Sequence, residues 1–211
     1  MKKNKTFLAA IVLLLLFVVG GAVAYFTDTD TKTNTFTIGN VDIDILEANW
    51  STTDSNSNGV PDAAENLMPG QSVTKDPVIR NLSTSNPAYV FAKVEVPCTT
   101  ETTPRELFTY TVNNGWAELS SAQVACTSGG NATHVYYYGS GSSLTPLAKA
   151  VDSSTPTPTS TAVFSSVTLL SSLTGNEGLT GEKNVVVTGY GIQTEGLAST
   201  TPANVWSNFS N

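Results

Sequence analysis

The sequence predicts an all-β protein, a single antiparallel β-sandwich with few short helices, preceded by an export signal. Threonine, serine, asparagine, valine and tyrosine are abundant while only 13% of residues are charged, a composition that favours strands and turns over helices. Apolar and polar residues alternate with a period of two in several short runs, which turn-forming residues separate. Because 211 residues suffice for one sizeable core and are few for two, one sandwich is the simplest architecture.

An export signal opens the chain. Three lysines among the first five residues precede an unbroken apolar run over residues 7–19, and the small residues of Ala22-Val23-Ala24 follow. This order is that of a secretory signal peptide, and it predicts cleavage between Ala24 and Tyr25 and a secreted or cell-surface location. The alternative is an uncleaved signal anchor, because residues 6–27 are uncharged and a membrane-spanning helix needs ~20 such residues.

Cleavage would divide the chain into a signal peptide over residues 1–24, a mature N-terminal segment over residues 25–40 and a sandwich domain over residues 41–211. The mature chain would hold 187 residues, and loss of the three leader lysines would move the formal net charge from −7 to −10. So acidic a surface argues against nucleic acid and anionic membranes as partners. No stable membrane insertion is expected once the leader is removed.

The alternation predicts strands in order along the chain. Residues 41–45 alternate apolar side chains with aspartates, and residues 89–96 alternate between two flanking prolines. The strand over residues 108–112 runs into Asn113-Asn114-Gly115, which predicts a hairpin because Asn-Gly suits the tight turn between paired strands. Further strands are predicted over residues 133–138, 162–169 and 183–193.

Few helices are predicted. Thr201-Pro202 resembles a helix cap followed by a first-turn proline, and Val205, Trp206 and Phe209 would form the buried side of a short helix. A second short helix is predicted over residues 144–151. Residues 152–161 have no apolar side chain beyond two prolines, which predicts an extended, exposed loop.

Two cysteines, Cys98 and Cys126, lie in the exported part of the chain. An even number of cysteines in an oxidising compartment favours a disulfide. Closing that loop would stabilise the fold by about 3–4 kcal/mol on the chain-entropy estimate. Two buried thiols are the alternative.

Four Asn-x-Ser/Thr triplets of the mature chain are candidate glycosylation sites, and they begin at Asn49, Asn81, Asn131 and Asn208. In a chain so rich in asparagine, serine and threonine, this number is close to what chance would produce. The triplets therefore mark candidate positions and do not by themselves predict a glycoprotein.

An oxygen-rich loop over residues 54–65 follows the spacing of an EF-hand calcium loop. Oxygen-bearing side chains hold positions one, three, five, nine and twelve, glycine holds position six, and a backbone carbonyl serves at position seven; the ligands are Asp54, Asn56, Asn58, Val60, Asp62 and Glu65. This predicts a structural Ca²⁺ site of weak, extracellular-type affinity, ~10⁻⁴–10⁻³ M, because carboxylates are few. No amphipathic helix leads into the loop, so an asparagine-rich turn without an ion is the alternative.

No catalytic site is predicted. His134 is the only histidine, whereas zinc proteases normally present two or three zinc-binding residues in a recognisable motif. The tyrosines at 136–138 indicate that His134 lies on a strand and is structural. Residues 139–142 lack the spacing of a nucleophile elbow, and Gly189-x-Gly191 lacks the third glycine of a nucleotide-binding fingerprint.

Both ends of the chain resemble one family. The leader is followed from Ala24 by AYFTDTDTKTNTFTIGNVDIDI, and residues 66–97 read NLMPGQSVTKDPVIRNLSTSNPAYVFAKVEVP. Landmarks within them are Pro69-Gly70-Gln71, Lys75-Asp76-Pro77, Asn81 and Ala88-Tyr89-Val90. Together with VVVTGYGIQTEGL and ANVWSNF near the C-terminus, these blocks resemble the TasA/camelysin family of secreted surface proteins. The resemblance does not extend to residues from about 98 to 184.

The resemblance implies a jelly-roll-like form of the sandwich, export through a SipW-type signal peptidase, and a role as a fibre subunit of biofilm matrix or surface filaments. In such filaments the N-terminal segment of one subunit pairs as a strand with the next. The implied partners are therefore copies of the same chain in a head-to-tail polymer, together with other matrix components. Camelysins are also described as calcium-containing metallo-endopeptidases, but no catalytic residue carries over because the chain has no zinc motif.

The mature N-terminal segment has the character of such a strand. Tyr25, Phe26, Phe36 and Ile38 are apolar anchors on either side of a polar, threonine-rich run. The segment cannot bury enough surface alone to stay ordered, but on an open sheet edge it would gain backbone hydrogen bonds and anchor pockets. A head-to-tail contact of this kind does not close, so it generates fibres. The alternative is that the segment folds back as the first strand of its own subunit.

The predicted function is self-assembly into extracellular filaments, without enzymatic activity. Two other functions remain open at this point. One is a camelysin-like surface metallo-endopeptidase, and the other is a monomeric, calcium-binding surface adhesin.

Overall fold

The computed structural model describes residues 41–84, 86–151, 159–175 and 181–209. Within these residues the strands are β1 Ile43–Leu46, β2 Ser72–Thr74, β3 Val78–Asn81, β4 Ala88–Pro97, β5 Phe108–Thr109, β6 Trp116–Glu118, β7 Asn131–Ser140, β8 Ser143–Leu144, β9 Ser166–Leu169 and β10 Val186–Gln193. Helix α1 spans Pro202–Trp206. Short 3₁₀ turns span Asp62–Ala64, Ser120–Ala122 and Ser207–Phe209.

The longest strands form the main sheet, in which all pairings are antiparallel. Its order is β10-β4-β7-β6, and β8 pairs with the end of β7. β4 lies in the middle and is paired with β10 on one side and β7 on the other. β4 pairs with two strands that are not its neighbours in sequence, β7 and β10, so the chain between them crosses to the other layer as a jelly-roll-like sandwich requires.

A second layer packs against the main sheet. β2, β9 and β5 form one antiparallel group, and β1 pairs with β3. On the other edge of β3, the backbone N–H of Ser160 donates to the carbonyl of Ile79 at 2.9 Å. The core lies between the two layers, and on β4 its inward residues, all fully buried, are Val90, Ala92, Val94 and Val96. The predicted all-β, antiparallel fold with few short helices is confirmed.

An aromatic cluster from the C-terminus covers the outer face of the main sheet. Phe91, fully buried on β4, contacts Trp206 and Phe209 at ring-centroid distances of 5.4 and 5.8 Å. Tyr190 of β10 packs against Trp206 at 5.0 Å. β4 is therefore buried along its inward face and, around Phe91, on its outward face as well. α1 has five residues, and no helix in the described part of the chain is long and apolar enough to span a membrane.

Pro202 opens α1 as predicted, but the predicted cap by Thr201 is wrong. The Thr201 side chain makes no capping hydrogen bond, and its Oγ1 lies 3.4 Å from Oγ of Ser199. The helix is instead held by the burial of Val205 and by the rings of its last turn.

The helix predicted over residues 144–151 is not formed. Leu147 exchanges backbone hydrogen bonds with Ala88 at 2.8 and 2.9 Å, beside the start of β4. Pro146 has no backbone N–H and disfavours a helix at the residue before it. The extended backbone lets the buried side chain of Leu147 reach the core.

The hairpin predicted at Asn113-Asn114-Gly115 is wrong, although a turn forms there. Gly115 has a φ of +96°, and the N–H of Trp116 donates to the carbonyl of Asn113 at 3.3 Å. The flanking strands belong to different layers, because β5 pairs with β9 and β6 pairs with β7. The backbone N–H of Asn113 donates to the carbonyl of Val163 at 2.9 Å, and this contact ties the turn to the second layer.

Only the last residues of the loop predicted over 152–161 can be described, since residues 152–158 lie outside the described residues. Thr159 forms a β-bridge with Arg80. Ser160 is 6% exposed, and its Oγ accepts a hydrogen bond from the N–H of Ile79 at 3.0 Å. The prediction of an exposed loop is wrong at Ser160, because a polar residue can pair through its backbone and hydroxyl inside a sheet.

The predicted disulfide is present. Cys98 and Cys126 are bonded, with their Cα atoms 5.8 Å apart, so the alternative of two buried thiols does not hold. The bond ties the end of β4 to the segment that leads into β7. The backbone N–H of Cys98, which donates to the carbonyl of Gly130 at 2.8 Å, reinforces the same connection.

Two glycines of β10 allow β1 to pack closely over the main sheet. A Cβ atom on Gly189 would lie 3.2 Å from Cγ1 of Ile45. On Gly191 it would lie 2.9 Å from Cγ2 of Ile43 and 3.0 Å from Cγ1 of Val41. A glycine inside a strand often marks such a close approach. The Gly189-x-Gly191 spacing is therefore explained by packing against β1.

We expect Gly191→Ala to lower the free energy of unfolding by about 1–3 kcal/mol, the usual cost of overpacking a core. The clashing atoms belong to β-branched side chains, which are stiff at χ1 and cannot swing away. Urea denaturation of the mature chain measures the change. Val186→Thr, an exposed change on the outer face of the same strand, should alter it by less than about 0.5 kcal/mol. A gain in stability at residue 191, as alanine gives in an open strand, would contradict the close approach.

Candidate functional site

The oxygen-rich loop begins with a turn organised by Asp54. Its carboxylate accepts hydrogen bonds from the backbone N–H groups of Asn58 at 3.2 Å and Gly59 at 2.8 Å. Gly59 has a φ of +87°, which a residue without a side chain adopts at little cost. The sharp turn predicted at the sixth position of the loop is therefore formed.

Four of the predicted ligands come together around Asp54 and Glu65. The Nδ2 of Asn56 donates to both carboxylate oxygens of Glu65, at 2.9 and 3.2 Å, and Nδ2 of Asn58 donates to the same carboxylate. Asn58 is also linked to Asp54 through its backbone N–H. The first, third, fifth and twelfth positions of the loop are thus joined in one hydrogen-bonded group.

The other two predicted ligands, Asp62 and Val60, make different contacts from the group around Asp54 and Glu65. Asp62 accepts hydrogen bonds from the backbone N–H of Ser55 at 2.8 Å and from its hydroxyl at 2.6 Å, and these bonds lower the pKa of Asp62. The N–H of Val60 donates to Oδ1 of Asn58 at 2.8 Å. Within the described residues no three His, Cys, Asp or Glu side chains are close enough together to hold a metal ion. The loop's donors are all oxygens, which suits a hard cation, but Asp62 would have to leave Ser55 to join them.

A groove of about 1040 Å³ lies beside this loop. Its apolar floor belongs to the second layer and consists of Val73, Phe108, Val167 and Leu169. The loop over residues 54–65 and the segment 181–185, which leads into β10, form walls of the groove. The sequence did not indicate this groove, because its residues come from widely separated parts of the chain.

Lys75 and Asp76, which belong to one of the sequence landmarks, hold the segment that connects β1 to the oxygen-rich loop. The nearly buried carboxylate of Asp76 accepts hydrogen bonds from the backbone N–H of Asn49 at 3.1 Å and from its Nδ2 at 2.7 Å. Nζ of Lys75 lies 2.7 Å from Oε1 of Glu47 and 5.3 Å from the ring centroid of Trp50. Glu47 and Trp50 also line the groove, so this pair helps to shape it.

One side of the sandwich, formed by β1 and β10, is open in the part of the chain that the structure describes. Within the described residues β10 pairs only with β4, and β1 pairs only with β3. The apolar residues that face the core here are only half-buried; they are Val41, Ile43, Ile45, Val185 and Val187. The predicted cleavage site at Ala24 and Tyr25, and the predicted strand anchors Tyr25, Phe26, Phe36 and Ile38, lie outside the described residues.

His134 lies on β7 and its ring contacts several polar groups. Nε2 is 2.9 Å from Oε1 of Glu106, and Nδ1 is 3.1 Å from Oε1 of Gln123 and 3.5 Å from Oε1 of Glu118. The hydrogen bond to Glu106 raises the pKa of His134, although partial burial opposes it. Both ring nitrogens thus have partners within the fold, which is the arrangement of a structural histidine.

The candidate glycosylation positions differ in accessibility. Asn81 is fully buried, and its Nδ2 donates to the carbonyls of Asn86 at 3.0 Å and Ala148 at 2.9 Å. A glycan on Nδ2 would displace these contacts, so Asn81 is a structural residue of the folded domain. The exposed positions are Asn49, Asn131 and Asn208.

Residues 1–102, just under half of the chain, match the sequence model of a family described as camelysin metallo-endopeptidase. No curated protein and no solved structure matches the chain. The matched part includes β1 to β4, the oxygen-rich loop and Lys75-Asp76-Pro77, whereas His134 lies beyond it. The predicted resemblance to the TasA/camelysin family, a family of surface and extracellular proteins, is therefore confirmed over residues 1–102.

Proposed function

We propose that this protein is exported and assembles with copies of itself into filaments at the cell surface or in an extracellular matrix. The N-terminal segment over residues 25–40 of one subunit would pair as a strand with the next subunit. The observation that carries the proposal is the open side of the sandwich, where β1 and β10 each have a single strand partner within the described residues.

The chemistry of the open side suits an added strand. The unpaired backbone groups of a sheet edge bind another strand through a ladder of hydrogen bonds. The sequence VVTGYGIQ of β10 contains neither proline nor charge, the two residue features that usually protect an edge. The half-buried apolar residues beside it would be covered by anchors such as Phe36 and Ile38 of an incoming strand.

The position of the segment favours transfer between subunits. Val41, the first described residue, lies beside Gly191 near the end of β10, whereas the groove adjoins Val185 at its beginning. The sixteen residues over 25–40 would extend roughly 50 Å as a strand, and β10 has eight residues. The segment would leave one end of its subunit and enter the opposite end of the next. If successive subunits keep the same orientation, this contact repeats without closing into a ring, and a fibre results.

Deleting residues 25–35 should abolish the polymer and leave a folded monomer, because half of the strand anchors are lost while the sandwich is intact. Negative-stain microscopy of the purified mature protein measures this, and circular dichroism checks the fold. Phe36→Ala with Ile38→Ala should have the same effect, whereas the matched pair Thr29→Ala with Thr31→Ala should still form filaments. Polymers that persist after the deletion would exclude strand exchange through this segment, and a full-length chain that is monomeric under every condition would favour the adhesin.

We further propose that the loop over residues 54–65 binds one Ca²⁺ ion in a structural role. The joined positions of Asp54, Asn56, Asn58 and Glu65 support this, as do the oxygen-only donors. When bound, the ion would supply positive charge that replaces the amide donors now directed at Glu65. The loop forms one wall of the groove, so the ion would stiffen that wall.

Calcium at ten times its dissociation constant should stabilise the mature protein by about 1.4 kcal/mol through mass action. Isothermal titration with millimolar calcium, together with thermal melting, measures the effect. Glu65→Gln should remove both the heat and the stabilisation, while Glu195→Gln, an exposed carboxylate outside the loop, should preserve them. No heat and no shift in melting temperature with the unaltered protein would exclude the site.

A metallo-endopeptidase is the second candidate, because the matching family is described by that activity. It would need a metal site, and His134 is the only histidine. We expect the purified protein not to cleave casein, since both ring nitrogens of His134 are bonded within the fold. Cleavage that a chelator abolishes and that His134→Ala loses would instead establish the protease.

A further inference from the structure

A polar cluster joins the two layers on the side of the sandwich opposite the open one. His134 of β7 and Glu118 of β6 belong to the main sheet. Glu106 lies two residues before β5 of the second layer and forms a β-bridge with Cys98, just beyond the end of β4. Nε2 of His134 lies 2.9 Å from Oε1 of Glu106. Beside this contact, the hydroxyls of Tyr110 and Tyr136 lie 3.0 Å apart and join the same layers.

The three side-chain atoms that contact the ring nitrogens of His134 within the described residues are all oxygens placed as acceptors. Oε1 of Glu106 faces Nε2, while Oε1 of Gln123 at 3.1 Å and Oε1 of Glu118 at 3.5 Å face Nδ1. An imidazole donates from both nitrogens only when it is doubly protonated. The arrangement is therefore that of the charged imidazolium, with a proton on each nitrogen.

Gln123 carries the one unsatisfied group of this cluster. Its Nε2 is buried and has no hydrogen-bond partner within the described part of the chain, and such orphaned donors are rare in folded proteins. This unpaired Nε2 would gain a partner when the His134 ring is neutral. When Nδ1 loses its proton, its lone pair faces Oε1 of Gln123, and turning the amide over would place Nε2 there as a donor.

We propose that His134 and Gln123 form a two-state proton switch at the seam between the layers. In the first state the imidazolium donates to Glu106 and Gln123 and attracts Glu118. In the second state Nδ1 has released its proton to solvent, Nε2–H still donates to Glu106, and the reversed Gln123 amide donates to Nδ1. The ring then has no charge to hold the two carboxylates, so the seam loosens.

The other groups at the ring do not titrate in the same range. The Tyr136 ring stacks on His134 at 6.3 Å and the Tyr110 ring meets it edge-on at 6.2 Å. Burial raises the pKa of Tyr136 to about 12 and raises the pKa of Tyr110 further, so both stay neutral. The pKa of His134 is raised by Glu106 first and then by Glu118. The charged His134 therefore stabilises the folded state fully below the pKa of about 6.5 that a histidine has in the unfolded chain. This stabilisation is lost as the pH rises through the higher pKa of His134 in the folded state.

The test follows the single histidine by nuclear magnetic resonance of the mature protein between about pH 5 and 9, in solution or on filaments. The Hε1 signal is unambiguous because the chain has one histidine. We expect its midpoint above ~6.5, and we expect the side-chain amide signals of Gln123 to shift with the same midpoint. Amide signals that stay constant through the His134 titration would overturn the switch.

Two variants separate the switch from a passive contact. Gln123→Glu offers an acceptor and no donor, so it should raise the proton affinity of His134 at least tenfold. Glu195→Gln, a carboxylate outside the cluster, should leave the midpoint and the Gln123 response unchanged. A Gln123→Glu protein that is folded and titrates like the unaltered one would contradict the proposal, and if that variant does not fold, the amide signals of the unaltered protein decide.

Discussion

The burial of β4, along its inward face and at Phe91 on its outward face, is the constraint on which the rest of the structure depends. Its inward residues, among them Val90 and Val94, fill the space between the layers, while Phe91 on the outward face packs under Trp206 and Phe209. Full burial of one large apolar side chain stabilises a fold by about 1.5–3 kcal/mol. A helix of five residues is far too short to be stable by itself, so α1 exists because Phe91 gives its rings a surface to cover.

The two sides of the sandwich are built on different physical principles. One side is closed by directional contacts between layers, namely the Tyr110–Tyr136 hydrogen bond and the His134–Glu106 pair, with the disulfide nearby. The other side relies on close packing of β1 over two glycines of β10, and its core residues remain half-buried. Within the described residues, the side formed by β1 and β10 has room for a further strand that would not break the connections of the sandwich, and this is the physical basis of the proposed filament.

The sequence landmarks shared with the TasA/camelysin family have a structural explanation. Asp76 holds Asn49, and Lys75 contacts Glu47 and Trp50. These contacts orient the chain where it leaves β1 and enters the oxygen-rich loop. The described part of the matched region, residues 41–102, thus supplies β1 of the open side, the loop and part of the groove, whereas the closed side, with its histidine cluster, is built largely from later residues that the resemblance did not reach.

The sequence by itself determined the fold class, most of the strands, the disulfide pair and the resemblance to the family, because these depend on local periodicity, a count of two cysteines and contiguous blocks of residues. It also predicted the sharp turn at Gly59 within the oxygen-rich loop. Only the tertiary structure decided that the turn at Asn113 crosses between layers, that residues 144–151 are extended, and that Gly189 and Gly191 lie under β1. Those outcomes depend on partners far away in sequence, such as Val163 for Asn113 and Ile43 for Gly191, and a local pattern carries no information about such partners.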